Sequence, residues 1–164
     1  MAAHKAAQKQ DALAFAVLSS GPDMADGEPI FSYQHANVIY AGSTPSVAQI
    51  QLMQAKAMAQ TANSDEASDP LDFELGVFVV PAALDATMRQ VAFSLVDPAS
   101  SGAAGNPYVN QFDVVSSARL TGNPWYGLVK PNTVCETIEL CFLEGFEQPR
   151  LDMEEDFDAI AQKH

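Results

Sequence analysis

The chain has 164 residues, 48% of them hydrophobic, which suits one domain with a real core and is too short for two domains of normal size. Eight basic against 21 acidic residues give a formal charge of -13, which argues against a general grip on nucleic acid through phosphate neutralisation. No apolar stretch approaches the ~20 residues of a membrane span, and the first ten residues lack the basic-then-apolar order of a signal peptide, so the chain reads as cytosolic at synthesis.

The first element expected is a helix over Ala2 to Leu18, rich in Ala, Lys and Gln, with Leu13, Phe15, Val17 and Leu18 gathered at its C-terminal end. Ser19, Ser20, Gly21 and Pro22 end it, since Gly takes a left-handed cap and Pro cannot continue the ladder. A loop follows, with Asp26-Gly27 as a turn before the short apolar pieces Ile30-Phe31 and Val38-Ile39-Tyr40. Ser46 with Gln49 three residues on forms a capping box. It opens a helix expected to run to about Gln60, with Val47, Ile50, Met53, Ala57 and Met58 on one side.

Residues Thr61 to Asp69 read as an exposed polar loop. Leu75 to Val80 is a continuous apolar run rich in β-branched residues, the pattern of a strand covered on both faces at the centre of a sheet. Pro81 is expected at the first position of a helix whose stripe is Leu84, Met88, Val91 and Leu95. Beyond a small-residue loop from Ala99 to Asn106, strands are expected at Phe112 to Ser116, Trp125 to Lys130 and Thr133 to Leu143. Helices and strands are not regularly interleaved, so the fold class is α+β rather than a doubly wound parallel sheet.

The acid is uneven. Nine carboxylates between Glu136 and Asp158 face one base, Arg150, and Asp65 to Glu74 holds five acids and no base; both runs read as solvated surface. Cys135 and Cys141 would sit about 20 Å apart along one extended segment, too far to bridge, and read as reduced, half-buried packing residues.

The sequence contains no glycine-rich phosphate loop, nucleophile elbow or paired Cys or His ligand motif. His4 and His164 lie at the chain ends. His35 is the one histidine in an interior segment, read as holding backbone by a hydrogen bond rather than as a base, because the sequence singles out no partner for it. Asp152, Glu154, Asp156 and Asp158 lack the glycine and distal glutamate of a calcium loop. Trp125 reads as core or subunit interface. No catalytic, metal or cofactor site is assigned.

Several phrases, in order, resemble one family. Leu13 to Ser19 with Gly21-Pro22-Asp23-Met24-Ala25-Asp26-Gly27-Glu28-Pro29-Ile30-Phe31-Ser32 is similar to its helix end and following loop, His35-Ala36-Asn37 to the phrase after that, and Thr44 to Gln60 to its next helix. Phe78 to Asp85 resembles a strand entering a helix. Phe112 to Leu120, Asn123-Pro124-Trp125-Tyr126, and Ile138 to Gly145 with Pro149 and Phe157 resemble its later strands. The family is the Mu-like (gpT-type) tailed-phage major head subunit, with the capsid portions of prohead protease and major capsid fusions.

The resemblance implies a structural, non-enzymatic shell subunit of the Hong Kong ninety-seven type. Residues 1–20 would end the spine helix of a peripheral domain, 21–132 form the axial domain, and 133–164 return toward the peripheral domain. The N-terminal arm, extended loop and final strand region of the family are not matched, so the chain is expected to correspond to the later part of a subunit. Asp26, Gly27, Phe31, His35, Asn37, Pro81, Trp125, Tyr126 and Gly145 are the candidate interface or fold-defining residues. Implied partners are further capsid subunits in capsomers, with scaffold or portal proteins. The shell encloses DNA without specific binding, sits in the virion after assembly in the host cytoplasm, and involves no membrane. The alternatives are a small acidic α+β binding domain and an encapsulin-like compartment shell.

Overall fold

A computed structural model describes residues 2–39, 44–61, 69–130, 138, 139, 141 and 144, with residues 2–7 described as backbone. Helix α1 spans Ala2–Ser20 and α2 spans Val47–Met58. Strand β1, Leu75–Pro81, runs through a 3-10 turn at Ala82–Leu84 into α3, Asp85–Phe93. Strands β2, Asp113–Ser117, and β3, Tyr126–Val129, follow. None of the described helices is long and apolar enough to cross a membrane.

The three strands form a mixed sheet in the order β2-β1-β3. The central strand pairs parallel with β2, Phe78 opposite Val114, and antiparallel with β3, Phe78 opposite Gly127. The parallel pair requires a crossover, which the 3-10 turn and α3 provide. This single strand-helix-strand unit beside an antiparallel neighbour keeps the architecture α+β.

Both faces of β1 are covered, as its unbroken apolar run predicts. On one side Phe78 and Val80 join Val47 and Ile50 of α2, Met88, Val91 and Ala92 of α3, and Phe112. Phe112 meets Phe78 edge-on at 4.6 Å between ring centroids, a favourable aromatic geometry. On the other side Val79 packs with Leu18 of α1 and Leu120, flanked by Phe31 and Tyr126. In a regular strand Leu75 and Val77 would share a face, yet Leu75 borders the first cluster and Val77 the second. The register shift between them, at Gly76, accounts for the switch. A side chain there would stand 2.9 Å from the Lys130 Cα, so the close strand approach requires glycine.

Several helix ends follow local rules. Gly21, at φ +52, takes the left-handed position after α1 and donates its N–H to the Val17 carbonyl. Ser46 Oγ accepts from the Gln49 N–H at 3.3 Å and caps α2.

Four expectations are corrected. Pro81 does not begin a helix: its ψ of 152 is extended and it pairs with Ser117 as the last residue of β1, so the ring's fixed φ serves the strand. Leu95 does not continue the buried stripe, because α3 ends at Phe93 and Leu95 is 78% exposed. Cys141 is exposed rather than half-buried. The second helix stops at Met58, short of Gln60. Of the strand expected over Thr133 to Leu143, only Ile138, Glu139 and Cys141 are described, and none of the three is in a strand; Cys135 and the acidic run's remainder lie outside the described residues apart from Glu144.

Candidate functional site

Five of the residues singled out in the sequence meet in one loop between α1 and α2. After the Gly21 cap the chain folds back on itself, with Asp23 bridging Pro29, Met24 N–H donating to the Glu28 carbonyl and Ile30 N–H to that of Pro22. The turn at the tip needs Gly27, whose φ is +85. Asp26 Oδ1 accepts from the Glu28 N–H at 3.1 Å, which orients its carboxylate across the loop.

Asn37 ties the loop's second half: its side-chain amide donates to the Ile30 carbonyl at 2.6 Å and accepts from the Ser32 N–H at 3.1 Å. Ser32 is buried and its Oγ accepts from the His35 N–H at 3.1 Å. His35 then closes the structure, with Nε2 2.8 Å from Asp26 Oδ2 and Nδ1 3.0 Å from the Pro29 carbonyl oxygen. The Asp26 contact, with the Coulombic attraction, raises the His35 pKa above its ordinary 6.5 against the opposing effect of burial. The same hydrogen bond, with that from Glu28 N–H, holds Asp26 below its ordinary 3.8.

The loop is docked at both ends. Phe31 enters the second core cluster and lies 5.3 Å from the Tyr126 ring; burial pushes the Tyr126 phenol pKa up. From α2, Lys56 Nζ reaches the Ala36 carbonyl at 3.3 Å and, just beyond the helix, Gln60 Nε2 reaches that of His35 at 3.1 Å. Tyr33 stands out on the surface at 83% exposure.

The remaining candidates sit elsewhere. Trp125 packs against Phe78 at 5.8 Å between centroids on the first cluster, a core position. Pro81 ends β1, and Gly145 lies outside the described residues. The sequence reading missed Ser32 and the α2 contacts: a serine in a loop and Lys and Gln near a helix end carry no signal of their own. It also missed Gln54, whose amide donates to the Phe73 carbonyl at 3.2 Å and accepts from the Leu75 N–H at 3.0 Å, leading the chain into β1.

Chemically, this loop holds rather than reacts. Both His35 ring nitrogens face oxygen acceptors, so neither offers a lone pair to take a substrate proton. Two open clefts, of about 390 and 420 Å³, lie around Gln111, Phe112 and Lys130, and His35 lines neither. Lys130 is paired with Glu74 at 2.5 Å, which makes Glu74 of the acidic run an ion-pair partner and lowers its pKa. Among the described residues no three His, Cys, Asp or Glu side chains converge to hold a metal ion.

A model of the phage capsid protein family matches residues 2–163. No curated protein and no solved structure matches the chain.

Proposed function

The chain belongs to the phage capsid protein family, and on that premise we propose that it acts by self-assembly, joining further capsid subunits in capsomers without catalysing a reaction. Its role is structural and its place is the virion capsid. The carrying observation is the extent of the match, which takes in every described helix and strand.

The finer reading is a Mu-like head subunit with the Hong Kong ninety-seven type of fold. In it residues 1–20 end the spine, 21–132 form the axial domain and 133–164 return to the peripheral domain. Assembly takes place in the host cytoplasm with scaffold or portal proteins, and the acidic shell encloses DNA without gripping it. Shell subunits hold together through repeated shape-complementary contacts. Exposed apolar side chains supply candidates for them: Leu13 and Val17 on α1, Tyr33 on the clasped loop, and Phe93 and Leu95 at the end of α3.

Size exclusion and electron microscopy of the purified protein test the reading. The expected result is ring-sized or larger particles that Tyr33→Ser with Leu95→Ser diminishes. A 17.5 kDa monomer at every concentration would overturn self-assembly.

A further inference from the structure

His35 has hydrogen-bond acceptors on both sides of its ring. Nδ1 lies 3.0 Å from the Pro29 carbonyl oxygen and 3.4 Å from that of Ile30, and Nε2 lies 2.8 Å from Asp26 Oδ2. Carbonyl and carboxylate oxygens only accept, so both nitrogens must carry hydrogen for every contact to be satisfied. The imidazolium does this. Either neutral tautomer turns one lone pair onto an oxygen, towards the carboxylate if Nε2 loses its proton and towards the main chain if Nδ1 does.

We infer that the Asp26–His35 pair is a proton-operated latch: doubly protonated His35 closes the loop between α1 and α2, and loss of its proton releases that loop from the end of α2. The release follows from what the histidine's neighbours hold. Its N–H is on Ser32 Oγ, its carbonyl receives Gln60, and the next carbonyl receives Lys56. The ring's own contacts to Asp26 and Pro29 pin the same stretch of main chain, so losing them leaves these three bonds to hold it with less support. The His35 side chain keeps 21% of its surface exposed, so its proton can leave to solvent.

Of the charged groups around the ring, the Asp26 carboxylate favours the imidazolium and the Lys56 ammonium opposes it. Within the loop the ring meets the Asp26 carboxylate, while Glu28 engages Asp26 through its main-chain N–H. From α2, Lys56 brings its ammonium to the Ala36 carbonyl. Tyr126 of β3, behind Phe31, has a phenol whose ionisation burial delays further. The raised His35 pKa and lowered Asp26 pKa agree with a latch that is closed in the charged pair and opens on the alkaline side of 6.5. The latch stands independently of the assembly reading, since it concerns the loop within one chain.

The test is an NMR titration from pH 5.5 to 9 that follows the His35 ring proton signals and amide exchange at Ile30, Ser32, His35 and Ala36. Protection at these amides, corrected for the intrinsic rise of exchange with pH, is expected to fall about fivefold, as for loss of one hydrogen bond, with the midpoint of the His35 titration. Asp26→Asn lowers the His35 midpoint and carries the loop transition down with it; His35→Gln abolishes the transition. Protection that stays flat through the His35 titration overturns the latch, as does a transition that survives His35→Gln. Should either variant fail to fold, coincidence or separation of the two midpoints in the unaltered protein decides.

Discussion

Replacing Asn106 by Ala should cost about 3 kcal/mol of folding stability, because this one side chain closes the end of α3. Asn106 is 8% exposed. Its amide donates to the Val91 carbonyl at 2.6 Å and to that of Ser94 at 3.0 Å, and its oxygen accepts from the Tyr108 N–H at 2.9 Å. The helix stops at Phe93, so carbonyls in its last turn lack the partners a continuing helix would supply. Three side-chain bonds at roughly 1 kcal/mol each give the estimate, and the Val91 carbonyl left buried without Asn106 pushes it upward. Urea unfolding at neutral pH measures the change as a lowered midpoint at constant slope. Asn106→Asp should be worse at neutral pH, since a carboxylate has no donor for two carbonyls, and should regain part of the loss on acidification. A loss below about 0.5 kcal/mol for Asn106→Ala would refute the reasoning.

Gly76→Ala should destabilise by about 1–3 kcal/mol, the range for forcing a methyl into packed structure, because it meets the Lys130 backbone at the bulge; urea unfolding reads this too. Ser46→Ala removes the α2 cap and should cost about 1 kcal/mol, seen as a lower thermal midpoint by circular dichroism. Stability against pH should show the Asp26–His35 pair from both sides. The His35 contribution is complete below 6.5 and is lost as pH rises through its higher folded-state value; the Asp26 contribution is present above 3.8 and is lost as pH falls through its lower folded-state value. Asp26→Asn should therefore flatten the alkaline decline, and an unchanged profile of unfolding free energy between pH 6 and 9 would count against the pair.

What was legible in the sequence was what neighbours along the chain determine. The Gly21 cap, the Ser46 cap and the Gly27 turn each depend on a few adjacent residues, and the unbroken apolar run of β1 marks a strand covered on both faces. That run also hid its own irregularity: with apolar residues on both sides of Gly76, no alternation betrays the point where the faces exchange. Pro81 was misplaced because its φ of -62 suits a helix start and an extended strand alike, and pairing with Ser117 makes it strand. Leu95 fits the spacing of Leu84, Met88 and Val91, yet Ser94 is extended at ψ 132 and Asn106 binds the helix end from twelve residues on. In the candidate site both Asp26 and His35 were picked out, but their pairing was not, since a hairpin-like return brings them together.

The second core cluster also sets an order of events while the chain is being made. Leu18 of α1 packs with Val79 and Leu120, and the Arg119 guanidinium donates to the Gln8 carbonyl. Because α1 is made before these partners, Leu18 waits for roughly a hundred further residues, or about 5–20 s at ~5–20 residues per second, before its buried face has anywhere to go. Through that interval Phe15 and Leu18 are exposed to whatever else is nearby. The first cluster depends on Phe112 in the same way, so nascent chains crowded on one message have a time window in which they can mispair before their own sheet is complete.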